Sequence, residues 1–180
     1  MKADITEITQ FEGTPLAYPP VAGVTGDMLA VCWQRIEHYI ARRWGVRNVV
    51  WTLTSCGGDW RVPIGPVLGG ELDAFRWQDG DWQPITLERR PHGFRLPPGH
   101  VQIDASVGRV SLDIPESVER AVQRLAAYLE AETVMPAGAR SYSANVGQLA
   151  ETISADPAAM AKALQNSGAA DLLRPYRRPE

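Results

Sequence analysis

The stretch "VVWTLTSCGGDWRVPIGPV", residues 49 to 67, decides how this chain is read. Its first part, "VVWTLTS", is β-branched and aromatic, and such residues suit a pleated, half-buried surface. Ser55-Cys56-Gly57-Gly58 is small and polar and reads as a turn. "WRVPIGPV" resumes the strand character, but Pro63 and Pro66 cannot donate to a ladder and mark an edge. Further on, "LDAFRW" and "WQPITLE" flank "QDGD", a hairpin turn in which Asp-Gly accepts positive φ. "GFRLP" and "HVQIDAS" add another pair. From Asn48 to about Ser111 the sequence therefore predicts five or six short antiparallel strands.

Helical periodicity lies on both sides of this region. One helix is predicted from about Gly26 to Trp44, with Thr25 as N-cap, Asp27 at the positive end of the dipole and Gly45 after its end. Leu29, Cys32, Ile36, Tyr39 or Ile40, and Arg43 recur at three- and four-residue spacing on one face. A second runs from Pro115 to about Ala131, with Glu116 and Glu119 in its first turn and Val118, Val122, Leu125 and Leu129 in line. "AGARSYSANVG" then reads as a flexible loop. A further helix is predicted from Asp156 and Pro157, and "AADLL" adds about one turn before Pro175. Residues 1–24, with "GTPLAYPPVAG", read as an irregular arm because its prolines block helix and interior strand alike.

The chain has 180 residues, 44% of them hydrophobic and 22% charged, values of an ordinary globular domain. A net charge of -3 argues against a general nucleic-acid binder. Two lysines, Lys2 and Lys162, stand beside sixteen arginines, and we assign the larger share of that bias to a GC-rich genome. Arginine also suits interfaces, through its planar fork and its stacking on aromatics. Cys32 and Cys56 form no CxxC motif, and Cys32 on an apolar helix face is expected as a buried free thiol. The N-terminal sequence lacks the apolar core of a signal peptide, and no run reaches the ~20 apolar residues of a membrane span. An intracellular, soluble protein is expected.

No catalytic constellation emerges. His38, His92 and His100 form neither HxxxH nor HExxH, so no metal site is predicted. The Gly57-Gly58 and Gly69-Gly70 pairs lack a phosphate-loop pattern, and Ser55 lies outside any GxSxG elbow. Asp79-Gly80-Asp81 lacks the downstream Glu of a calcium loop. The six tryptophans are assigned to sheet core or a subunit interface ahead of a ligand-stacking platform. No cofactor is expected, and the chain is read as non-enzymatic.

The end of the chain is unusual. "GAADLLRPYRRPE" sets Leu172, Leu173 and Tyr176 beside Arg174, Arg177 and Arg178, a composition that suits a contact surface better than a solvated end. Three stretches in order, "IEHYIARRWGVRNVVWTL", "IPESVERAVQRLAAYLEAE" and "ADLLRPYRR", make the chain resemble the head–tail connector (adaptor) proteins of tailed bacteriophages and phage-derived gene transfer agents. Two features depart from that pattern: the proline-rich arm, and a long loop from about Ala137 to Asp156.

The resemblance implies an α+β fold. Its body would be a helical bundle, with long helices at about 26–44 and 115–131 and a C-terminal helix, carrying a small antiparallel β insertion. It implies an arm at 1–24, one connector domain at 25–167 and a docking tail at 168–180. It further implies a homo-dodecameric ring beneath the portal of a virion or phage-like particle, made in the bacterial cytoplasm, meeting the next stopper or tail protein. The ring would continue the DNA channel without sequence-specific DNA binding. Portal contact falls on Leu172, Leu173, Arg174, Pro175, Tyr176, Arg177 and Arg178. Packing of "AADLL" on the chain's own helices is the competing reading of the leucines. Two alternatives stand beside the connector: a small DNA-binding protein using Arg42, Arg43 and Arg47, and a ligand-binding module in the tryptophan-rich β region.

Overall fold

A computed structural model describes residues 2–109, 113–133, 141–146, 149–154 and 162–177. The chain forms two compact units, one from 1–19 with 41–112 and the other from 20–40 with 113–180.

The first unit is a six-stranded antiparallel sheet. Its strands are β1 (Ile5–Glu12), β2 (Arg47–Arg61), β3 (Val67–Gln78), β4 (Asp81–Pro84), β5 (Glu88–Arg90) and β6 (Gly93–Val107). The order is β1-β2-β6-β3-β4, and β5 pairs with β6. β2 and β6 keep one register from Arg47↔Val107 to Arg61↔Gly93, interrupted at Gly57 and Pro97. Trp51 and Trp60 show that this long antiparallel pair bends back on itself. Nine residues of straight strand would separate them by roughly 30 Å, yet their rings meet edge-to-face with centroids 5.6 Å apart. The bend falls at Gly57 and Gly58, whose φ values of 93° and 118° are open to glycine alone at little cost. Across it, the buried positions of β2 switch from Val49, Trp51, Leu53 and Ser55 to Trp60. The core so enclosed holds Val49, Trp51, Leu53, Trp60, Phe94, Leu96, Val101 and Ile103, all buried.

This arrangement corrects the expected fold. The body is the sheet, and the helices form a unit of their own; there is no helical-bundle body carrying a small β insertion. Two misreadings account for the difference. Gly57-Gly58 and Pro97-Pro98-Gly99 look like turns that separate short strands, but they face one another across the β2–β6 pair as a shared bend, with Cys56 paired to Pro98. Residues 5–12, expected within an irregular arm, form β1 on the sheet's edge through Ile8↔Leu53, Gln10↔Trp51 and Glu12↔Val49. The Asp-Gly turn is as expected: Asp79 and Gly80 have φ values of 52° and 86° and join β3 to β4.

The second unit contains α1 (Gly26–Ile40), α2 (Glu116–Thr133), β7 (Ser141–Val146), β8 (Leu149–Ser154), α3 (Ala163–Asn166) and α4 (Ala169–Leu173), followed by a 3-10 turn at Arg174–Tyr176. α1 buries Cys32, Trp33, Ile36 and Ile40, and α2 buries Val118, Val122, Leu125 and Leu129, the faces that periodicity predicts. α1 is shorter than expected. It stops at Ile40 because Ala41 turns to φ 54°, so Arg43 and Trp44 are not helical. β7 and β8 pair as a hairpin where a flexible loop was expected, with Tyr142 opposite Ile153. The predicted helix start at Asp156 and Pro157 lies outside the described residues. Burial lifts the Cys32 thiol to about 11, with Arg35 opposing and Glu130 reinforcing the shift.

Candidate docking interface

The C-terminal segment is positioned by α2. Ala163, Ala169 and Leu173 are buried, so α3 and α4 are anchored within the second unit. Asn166 Nδ2 donates to the Tyr128 hydroxyl at 3.2 Å, and Arg124 lies beside Gly168. The 3-10 turn then carries Tyr176 to Ser117, with the two hydroxyls 2.9 Å apart. Arg177 lies over the Tyr39 ring at 5.4 Å.

These anchors sort the predicted contact residues. Leu173 is fully buried and serves the unit's own core. Leu172 and Tyr176 are half-buried, while Arg174, Pro175 and Arg177 are exposed. Arg178 lies outside the described residues. What remains accessible is a small ridge with two guanidiniums, a proline face and the edges of Leu172 and Tyr176. Such a ridge can hold carboxylates in bidentate fashion while an aliphatic and an aromatic edge fill an apolar recess.

The rival sites look different. Arg43 donates from Nε to Glu12 Oε2 and from Nη2 to Oε1, each at 2.7 Å. Arg47 reaches the same carboxylate at 3.7 Å, donates to the Gly45 carbonyl at 3.1 Å and covers the Tyr18 ring. Both arginines are buried. They clamp the end of β1 and offer little to a DNA backbone. Trp33, Trp44, Trp51 and Trp60 are core residues, which leaves Trp77 and Trp82 for the surface. Among the described residues, no group of three or more His, Cys, Asp or Glu could hold a metal ion. No helix among them is long and apolar enough to cross a membrane.

Glu12 is the residue that sequence reasoning missed. It was legible only as one of several acidic residues near the N-terminus. Its role depends on β1 lying beside β2, a long-range pairing that no local pattern signals.

No family model and no curated protein matches the chain. Solved structures do. The chain resembles one from the neck of an empty gene transfer agent particle computed with C6 symmetry, with 22% identity, 85% of this chain and 77% of that chain covered, and a TM-score of 0.53. It also resembles a chain from the neck of the native particle computed with C12 symmetry, at 22% identity, 85% and 81% coverage and a TM-score of 0.51. A chain of the native gene transfer agent virion gives 22% identity, 88% and 82% coverage and a TM-score of 0.51. The fold is therefore one found in these particles.

Proposed function

We propose that this chain is a structural head–tail connector, a subunit of a ring beneath the portal that joins capsid to tail and continues the DNA channel. The observation that carries the reading is the fold shared with gene transfer agent neck chains over 85% of this chain. The motifs "WGVRNVVWTL" and "ADLLRPYRR" support it independently, because they suggest the connector family from the sequence alone. In this reading the protein works at the head–tail interface of a particle, is not an enzyme, and assembles as a homo-dodecamer between the portal and the next stopper or tail protein.

The portal contact is assigned to the tail. Arg174 and Arg177 pair with portal carboxylates, Arg178 extends the basic run, and Leu172, Pro175 and Tyr176 occupy an apolar recess. Leu173 holds the segment in place from within. A net charge of -3 suits a channel through which DNA must slide, since strong phosphate binding would hinder passage.

Co-sedimentation with the purified portal ring tests the assignment. Truncation after Gly168 would also remove buried Ala169 and Leu173, so the informative variant is Arg174→Glu with Arg177→Glu. Binding should fall at least about tenfold, equivalent to ~1.4 kcal/mol, with an unchanged circular-dichroism spectrum. Full binding by this variant would exclude the tail as the portal contact. Failure of the unaltered protein to bind would refute the connector reading.

A further inference from the structure

We propose that the β3–β4 hairpin is a self-assembly element, whose acidic and aromatic tip seats in an arginine-lined groove on the next copy of this chain. The proposal rests on the ring reading above and supplies its subunit contact.

Two unlike patches lie on this hairpin and beside it. Register puts Phe75 with Pro84 and Trp77 with Trp82 on one face, and Arg76 with Gln83 and Gln78 with Asp81 on the other, so that the aromatic pair and the carboxylate meet only at the hairpin tip. On the first face Trp77 is 44% exposed and packs edge-to-face on Trp82 at 5.3 Å. Asp73 on β3, Asp79 in the turn and Asp81 at the start of β4 are exposed. Among the described residues none of these carboxylates makes an ion pair; Asp81 only accepts from the Trp82 amide at 2.8 Å.

The second patch is a groove of about 360 Å³ lined by Arg76, Ile85, Leu87, Glu88, Arg95 and Pro97. Its one acid is already answered. Glu88 meets Arg90 at 3.1 Å and Arg95 at 3.9 Å, and Arg90 also meets Asp59 at 3.1 Å. Arg89 donates to the Leu68 carbonyl. The arginines thus outnumber the acids. Arg76 Nε is buried with no hydrogen-bond partner among the described residues. A buried donor without an acceptor is costly, and an incoming carboxylate is the ligand that remedies it.

Charge selects the occupant. Asp79 and Asp81 complement Arg76 and Arg95, while the Trp77–Trp82 pair matches Ile85, Leu87 and Pro97. The same patch brought against itself would set acid against acid, so a two-fold dimer through either patch is disfavoured. Joining one patch to the other is a head-to-tail contact, and a head-to-tail contact that closes makes a ring.

The test is sedimentation velocity of the full chain, alone and with the portal ring, for the unaltered protein, Asp81→Arg, Arg95→Glu and the double variant. Both positions are exposed, so the folds should survive, as melting curves would verify. Each single variant should raise the concentration for half-assembly about tenfold or more, and the double variant should return it to within about threefold of the original. Rings that form normally in both single variants would overturn this contact while leaving the ring reading intact. Two losses without rescue would overturn the Asp81–Arg95 pairing. Normal assembly of Asp81→Arg, with portal binding lost in Arg95→Glu, would give the groove to a portal carboxylate instead. Absence of any ring from the unaltered protein would remove the ring reading and this contact together.

Discussion

Arginines beside aromatic rings occur in both units, and their circumstances differ. In the sheet unit, Arg47 covers Tyr18, and with Arg43 it converges on Glu12. In the helical unit, Arg177 covers Tyr39, while Arg174 and Arg177 point outward with no carboxylate paired to them among the described residues. The side chains and their stacking are alike; the counter-charge is not. Where the fold supplies a carboxylate, arginine ties distant parts of the chain together. Where it supplies none, the fork remains available to a partner. Arginine enrichment therefore says little about interfaces until each guanidinium has been assigned to what it already holds.

Removing the counter-charge is the strongest way to break this contrast. Glu12→Ala would leave Arg43 buried without its bidentate partner. Because Glu12 retains a side-chain exposure of 20%, the cost should fall at the low end of that expected for a broken buried pair, about 3 kcal/mol. Urea denaturation followed by tryptophan fluorescence would measure it. A loss below about 1 kcal/mol would mean the clamp behaves like a surface pair.

The bent β2–β6 pair gives the next effect in size. A Cβ on Gly93 would run into the Trp60 carbonyl, so Gly93→Ala must push β2 and β6 apart at the end of the fold-back. Overpacking of this kind costs about 2 kcal/mol. At Gly69, where the nearest atom to such a Cβ is an arginine side-chain nitrogen 4.0 Å away, the same substitution should be close to neutral. Equal effects at the two sites would contradict the fold-back geometry.

These sites also mark what the sequence could and could not convey. The helix faces were legible because each is a local period: Cys32, Ile36 and Ile40 on α1, and Val118, Val122 and Leu125 on α2, are buried as spacing predicts. The Asp79-Gly80 turn was legible for the same reason. The long β2–β6 pairing was not, because glycines and prolines carry the same local signal in a bend as in a chain-reversing turn. The place of β1 depends on pairing across more than forty residues, from Ile8 to Leu53. In the tail, composition marked "LLRPYRR" as a contact segment but could not divide it. Leu172 and Leu173 are neighbours in sequence, and only packing sends Leu173 inward.

The tail should respond in the opposite sense to Glu12. Arg174→Glu with Arg177→Glu removes one exposed cation–π contact and no ion pair found among the described residues. Its effect on stability should be no more than about 1 kcal/mol, while portal binding falls as proposed above. A large stability loss with intact binding would reverse the comparison and make the tail arginines structural.

The smallest effect concerns pH. Cys32 is buried on α1, and its thiol is held up from 9.0 to about 11, chiefly by desolvation. Between those values the unfolded chain releases this proton and the folded chain keeps it, so the folded state binds more protons. Stability contributed by the neutral thiol is thus present below pH 9 and is lost as pH rises towards 11. The measurement must be a difference between variants, so that every other ionisation cancels. Cys32→Ala should destabilise the chain slightly at neutral pH by losing packing, yet lose stability less steeply than the original between pH 9 and 11. Parallel stability–pH curves would show that Cys32 reaches solvent on ionisation. A thiol reagent offers an independent check on the same point. Exposed Cys56 should react at neutral pH in the folded protein, and Cys32 only as the helical unit opens.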